Sequence, residues 1–352
     1  MDDLFNHADF RHESVHFFRD RPSGLKAIIA IHNTRLGPAI GGCRMRPYKT
    51  TSAALSDVLR LSQSMTYKCA VGGIPFGGGK AIVVADPARD KTTELLHAFG
   101  DAVESLNGRY ITSFDMGTTM DDVRTIGEVT AHVGGIDAAS GNASASTAQG
   151  LLACIKASIR YLQGAGKSLH GTRVAIQGVG NVGGRLARLL AAQGARLVLA
   201  DVDRQLAGRM AEELGAELAG SEEILAADVD VFSPCALGGI LDETSITRIR
   251  APIIAGGANN QLASPSVGKK LKVRGVLYAP DYLANAGGII DLHYQLNRAP
   301  RENLQAHLHG LGDILRRVYE RSDETGLSTN AVADEIAEEV VRRGSIDSAI
   351  AS

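Results

Sequence analysis

The sequence predicts an α/β protein of two domains, the second built on a doubly wound parallel sheet. Three observations lead there. The chain has 352 residues, and at roughly 150 residues per domain that length favours two. From Arg173 onward, short apolar runs alternate with helix-length stretches at β-α-β spacing, which implies a parallel sheet. Between the first of these strands and its helix lies a glycine-patterned loop, Gly178-Val179-Gly180-Asn181-Val182-Gly183. The small, polar stretch GGIDAASGNASAST at 134–147 reads as a linker or hinge. It separates a first domain, 1–140, from a second, 141–324.

The elements follow in order. Residues 26–32 (KAIIAIH) form an apolar run of strand length. A helix is expected over about 51–67, where Leu55, Val58, Leu59, Ser62 and Met65 keep helical spacing while Asp57 and Arg60 point elsewhere. GGIPFGGGK at 72–80 runs into a strand at 81–85, bounded by Asp86-Pro87. A helix over 93–106 and a short strand lead to Asp115. Beyond the linker come a helix at 148–162, a strand at 173–177, and a helix at 181–193 with Leu186, Leu189 and Leu190 on one face. Further strands are expected at 197–200, 229–232, 253–255 and 276–278. The tail, 304–343, reads as helices.

Hydrophobic residues make up 44% of the chain and charged residues 22%, near globular averages. The net charge of -2 offers no field to attract nucleic acid or an anionic membrane. The N-terminus lacks the basic start and apolar run of a signal peptide, and no apolar stretch approaches the 18 residues of a membrane span. Cys43, Cys69, Cys154 and Cys235 form no C-x-x-C pair. They suggest core residues in a reducing, cytoplasmic setting, with no metal centre expected.

The loop at 178–183 matches G-x-G-x-x-G, a weak pattern alone but one placed here between strand and helix. Gly178 permits the tight turn, Gly180 lets the backbone approach a pyrophosphate, and Gly183 lets helix and strand pack closely. Val179, Asn181 and Val182 complete the cradle at a helix N-terminus that favours phosphate. Asp201 ends the second strand, 23 residues after Gly178. Its carboxylate would accept from ribose hydroxyls and repel a 2′-phosphate, so NAD is expected rather than NADP.

Gly77-Gly78-Gly79-Lys80 is not a phosphate-binding Walker loop, because Ile74 and Ala81 occupy positions that need Gly and Ser or Thr. Three glycines suggest backbone held close to a ligand, with an amine presented from a strand start. In a partly apolar pocket an amine can act as a base. By themselves Lys68, at a helix end, reads as a solvated charge and Asp115 as a turn former.

Seven ordered segments change that balance. LGPAIGGCRM (36–45), MTYKCAVGGIPFGGGKAIV (65–83), DMGTT (115–119), QGVGNVGG (177–184), PCALGGIL (234–241), GGANNQL (256–262) and YAPDYLANAGGII (278–290) together resemble the glutamate/leucine/phenylalanine/valine dehydrogenase family over nearly the whole chain. The resemblance implies an N-terminal α/β catalytic domain and a Rossmann-type NAD-binding domain, with the active site in the cleft between them. It implies a C-terminal helix, about 325–352, that returns to the first domain, and a homo-oligomer, dimer or octamer. It assigns Lys68 to the substrate carboxylate, Lys80 to activation of the attacking water and Asp115 to proton transfer at the substrate nitrogen. Asn259 and Asn260 should lie near nicotinamide and substrate, and Cys235 and Ala236 should line the NAD cleft. The reaction implied is reversible oxidative deamination of an L-amino acid to a 2-oxo acid and ammonia.

Within the family, GGCRM and DMGT resemble the leucine/valine branch more than the phenylalanine branch. Ile40, beside Gly41, should face the substrate side chain. An apolar pocket leaves nothing to pair a second substrate carboxylate, which argues against glutamate. A branched-chain substrate is therefore expected, with phenylalanine or tryptophan as the alternative. Asp291, His293 and Tyr294 depart from the small apolar residues and Asn usual in the leucine branch. They either point away from the substrate or rim a wider pocket. A non-catalytic NAD-sensing module would be expected to have lost the two lysines, and both are present.

Overall fold

The computed structural model describes residues 10–135 and 143–346. The chain divides into two compact units, one made of the described residues up to 135 with those from 337, the other of residues 143–336.

The first unit is built on β1 (Ser14–Arg19), β2 (Lys26–Asn33), β3 (Ala39–Arg46), β4 (Gly77–Val84) and β5 (Tyr110–Phe114). Their order in the sheet is β1-β2-β4-β3-β5, with β1 and β2 antiparallel to their neighbours and β4, β3 and β5 parallel. Successive side chains on a strand point to opposite faces. Cys43, Met45, Ala81 and Val83 face one way, into a core with Leu95, Leu96, Phe99, Val103, Val123 and Ile126 from two helices, Thr93–Glu104 and Met120–Ile126. Ile28, Ala30 and Ile82 face the other way, against Ala54, Val58 and Leu59 of the helix Thr51–Val71. By the same alternation, Arg44 and Lys80 emerge on the side of that helix.

The glycine run serves a different purpose from the one expected. A Cβ on Gly77 would overlap the carbonyl of Asn33, one on Gly78 would overlap the backbone of Thr66, and one on Gly79 would lie 2.7 Å from the Tyr110 ring. These glycines let β4 pack between its neighbours, and protein rather than ligand fills the space beside them. Lys80 is correspondingly the fourth residue of β4 rather than the residue before a strand.

In the second unit β6 (Arg173–Gln177), β7 (Arg196–Ala200), β8 (Glu217–Leu218), β9 (Val231–Pro234), β10 (Ile253–Ile254) and β11 (Leu277–Tyr278) form an all-parallel sheet. Its order is β11-β10-β9-β6-β7-β8. The chain winds outward from β6 in one direction, then from β9 in the other, so the sheet has a topological switch point between β6 and β9.

The linker expected at 134–147 lies partly outside the described residues, at 136–142. Residues 143–147 are not linker: they open the helix Ala143–Gln163. Gly287 packs directly on their backbone, since a Cβ there would overlap the Ser146 carbonyl. Ser146 also donates to Asp291 Oδ2 at 2.8 Å, and Gln295 donates to Oδ1 at 3.1 Å. Asp291, 1% exposed, thus ties the helix Gly287–Leu296 to its neighbour. Asn297 Nδ2 donates to His293 Nδ1, and Tyr294 meets His307.

The last helix, Thr329–Arg343, ends in the first unit, where Tyr67 donates to Glu338 at 2.8 Å. No helix among the described residues is long and apolar enough to cross a membrane.

Candidate active site

Three strands of the first sheet converge on one carboxylate. Lys80 Nζ of β4 lies 3.0 Å from Asp115 Oδ2, and Arg44 Nε of β3 donates to the same oxygen at 2.9 Å. Asp115 follows β5 directly and is fixed in its turn by Thr118, whose hydroxyl accepts from the Asp115 amide and donates to the Cys43 carbonyl. Lys80 is 6% exposed. The strands can approach this closely because β3 carries glycines: a Cβ on Gly41 would overlap the Gly79 carbonyl, and one on Gly42 would lie 2.9 Å from Asp115 Cβ.

Burial alone would raise the Asp115 carboxyl. The charges and hydrogen bonds of Lys80 and Arg44 outweigh it and hold the group at about 2, against an ordinary value of 3.8. A lowered carboxyl contributes stability that is present above its unfolded value and is lost as pH falls toward the folded one. The contribution is on the order of 2 kcal/mol. The stability difference between the wild type and Asp115→Asn should therefore be constant above about pH 5 and shrink between about pH 4 and 2. Urea titrations at stepped pH measure it, and a difference that stays constant to pH 2 would contradict the assignment.

Lys68 is half-buried in the last turn of the helix Thr51–Val71, two residues after the threonine that covers Gly78. Ile40 pairs in register with Gly78 and Ile111 and is 0% exposed, and Gly41 is buried beside it. Both therefore stand within the sheet beside Lys80 and present no surface to a ligand in this structure.

Arg44 was not singled out by the sequence, although it lies in the GGCRM block. Its guanidinium spans two acids: Nε reaches Asp115 and Nη1 reaches Asp57 at 3.1 Å. Asp57 also accepts from Tyr48 at 2.7 Å and from Arg60 at 2.9 Å.

The second unit gathers the other predicted residues at the carboxyl ends of its strands, around the switch point. Gly178 has φ +93, and a Cβ there would strike Ala236. Gly183 leaves no room for a Cβ beside the Gly178 carbonyl and Cys235. Gly180 differs, because a Cβ there would meet nothing within 4 Å. Two of the glycines are required by the protein, and the third borders open space, as a loop that admits a pyrophosphate must. Val179 donates to Asp201 Oδ2 at 2.8 Å, and Asp203 donates to Oδ1 at 3.0 Å. Each oxygen retains a lone pair for a further donor.

Asn181 is exposed and Val182 half-buried at the helix entrance. Cys235 is a free, half-buried thiol. Asn259 Oδ1 accepts from Asn285 Nδ2 at 2.9 Å. Asn260 holds φ +52, and its carbonyl accepts from Gly239 at 2.7 Å. A non-glycine residue in this region is uncommon, and such strain gathers at functional loops.

A family model described as Glu/Leu/Phe/Val dehydrogenase, dimerisation domain, matches residues 12–132. A second, described as Glutamate/Leucine/Phenylalanine/Valine dehydrogenase, matches 134–205 and 199–296. The chain belongs to the glutamate/leucine/phenylalanine/valine dehydrogenase family. Leucine dehydrogenase of Bacillus subtilis (strain 168) is 41% identical over 345 residues, covering 97% of this chain and 94% of that protein. L-tryptophan dehydrogenase of Nostoc punctiforme (strain ATCC 29133 / PCC 73102) is 44% identical over 329 residues, covering 93% of each. The crystal structure of L-tryptophan dehydrogenase from Nostoc punctiforme superposes with a TM-score of 0.84 at 43% identity, covering 95% of this chain and 96% of that one. This member of the family is an amino-acid dehydrogenase, an oxidoreductase acting on a CH–NH2 group, with a nucleotide-binding domain of Rossmann type.

Proposed function

We propose that the enzyme catalyses the NAD-dependent, reversible oxidative deamination of an apolar L-amino acid, with branched-chain side chains preferred, to the 2-oxo acid and ammonia. The observation that carries this reading is the pair of buried Lys80 and half-buried Asp115, 3.0 Å apart. An amine and a carboxylate at that distance can hand a proton between them, and deamination needs proton traffic at two substrate atoms. Lys68 pairs with the substrate carboxylate. Lys80 orients and deprotonates the water that adds to the iminium carbon. Asp115 carries the proton to and from the nitrogen.

Bound NAD supplies the acceptor for the hydride of the substrate Cα. The residues that would hold it are the loop from Gly178 to Gly183, Asp201, Cys235, Ala236 and Asn259, while Asn260 is assigned to the substrate. Asp201 at the end of β7 supports NAD over NADP, because a carboxylate repels a 2′-phosphate. The dimerisation-domain match over residues 12–132 supports a homo-oligomer.

The alternative substrate is aromatic. It is favoured by the likeness to L-tryptophan dehydrogenase, at 44% identity over 329 residues beside 41% over 345 for leucine dehydrogenase. Initial rates for leucine, isoleucine, valine, phenylalanine, tryptophan and glutamate, each with NAD and NADP, decide between them. The expected result is turnover with leucine, isoleucine and valine at least 10-fold above glutamate in kcat/KM, since an unpaired carboxylate in an apolar pocket is costly. A kcat/KM highest for tryptophan or phenylalanine would replace the branched-chain assignment. Equal use of NADP would overturn the role given to Asp201.

A further inference from the structure

We infer that Arg44 is a positioning residue that splits the work of the two Asp115 oxygens, anchoring Oδ2 and leaving Oδ1 to exchange the substrate proton. The inference rests on the proposed role of Asp115. Its basis is an asymmetry. Lys80 Nζ and Arg44 Nε both approach Oδ2, at 3.0 and 2.9 Å, and no hydrogen bond from a described residue reaches Oδ1. A carboxylate held at one oxygen by two cations cannot rotate freely, so the other oxygen keeps a fixed direction.

Arg44 is itself oriented. Nη1 meets Asp57 at 3.1 Å, and Asp57 is fixed by Tyr48 and Arg60. The guanidinium is a rigid fork, so fixing one end sets the other. A lysine at position 44 would keep the charge but could not bridge both acids. The groups facing Asp115 are Lys80 from β4, Arg44 and Cys43 from β3, and Tyr110 from β5, and burial keeps Cys43 and Tyr110 protonated. Lys80 and Arg44 are therefore the charges that act most strongly on its ionisation, with Asp57 and Arg60 acting through Arg44.

The test is a double-mutant cycle on the full-length enzyme, Arg44→Met, Asp115→Asn and the pair, with kcat, KM and pH profiles for the best amino-acid substrate. Arg44→Met should lower kcat by about 10- to 100-fold, with the KM for NAD unchanged. It should raise the acidic limb of the kcat/KM profile by about 1 to 3 pH units, the effect of removing one adjacent opposite charge. Arg44→Lys should recover the pH profile but only part of kcat. In the pair, the Arg44 change should add less than 3-fold to the loss caused by Asp115→Asn alone, because a positioning residue has nothing left to position.

Losses that multiply in the pair would overturn the inference, as would an Arg44→Met enzyme with wild-type kcat and pH limb. Full activity in Asp115→Asn would instead overturn the proposed role of Asp115. Should Arg44→Met fail to fold, Asp57→Asn loosens the same fork from its far end. It should lower kcat about 3- to 10-fold without changing the KM for NAD, and unchanged kcat there would count against the inference.

Discussion

Replacing Lys80 with Ala should leave nucleotide binding within 2-fold of wild type while kcat falls by roughly 10³- to 10⁴-fold. Positioned acid–base groups contribute about 10² to 10⁴, and Lys80 also carries half of the charge that surrounds Asp115. The loss corresponds to about 4–5 kcal/mol of transition-state stabilisation. The second unit contains the whole glycine loop and Asp201, so cofactor affinity should not follow the loss. Substrate KM should change little, because the role proposed for Lys68, on a separate helix, is to hold the carboxylate. Stopped-flow single turnover and NADH fluorescence titration measure the two sides independently. Turnover unchanged by Lys80→Ala would remove this lysine from the chemistry and the deamination mechanism with it.

Gly180→Val should produce the reverse pattern, a stable protein that no longer binds its cofactor. The new side chain meets no protein atom near its Cβ, so folding has little reason to change, and the melting temperature should stay within about 3 °C. The side chain would occupy the space proposed for the pyrophosphate, and NAD affinity should fall at least ~100-fold, or about 3 kcal/mol. Gly183→Val is the control. Its Cβ would overlap the Gly178 carbonyl, so both stability and affinity should drop. Wild-type NAD binding by Gly180→Val would mean that the open space beside this glycine is not where the cofactor lies.

That pair of glycines also shows what the sequence could reveal. The second sheet was legible almost strand by strand, because buried parallel strands read as short apolar runs such as RVAIQ and RLVLA between helices. The two-residue β8 escaped notice, with its exposed Glu217 and Leu218. In the first sheet β3 was not recognisable as a strand. AIGGCRMR has two glycines and two arginines where apolar alternation is sought, and the reason for the glycines, the Gly79 carbonyl and Asp115 Cβ beside them, lies in other strands. The same holds for Arg44. Its meaning depends on a register that brings it to a residue 71 positions away, and no local pattern encodes that. Lys68, Lys80 and Asp115 became visible only through the ordered blocks around them. Asp291, read from the sequence as a question about the pocket, is a buried link between two helices.

The bond from Tyr67 to Glu338 joins residues 271 positions apart within one unit. On the ribosome, at about 5–20 residues per second, the five strands of the first unit emerge tens of seconds before the segment that carries Glu338. The nascent first unit must therefore persist for that interval with Tyr67 uncovered, while the entire second unit is synthesised. Completion of the first unit is thus timed by a segment made only after the whole second unit.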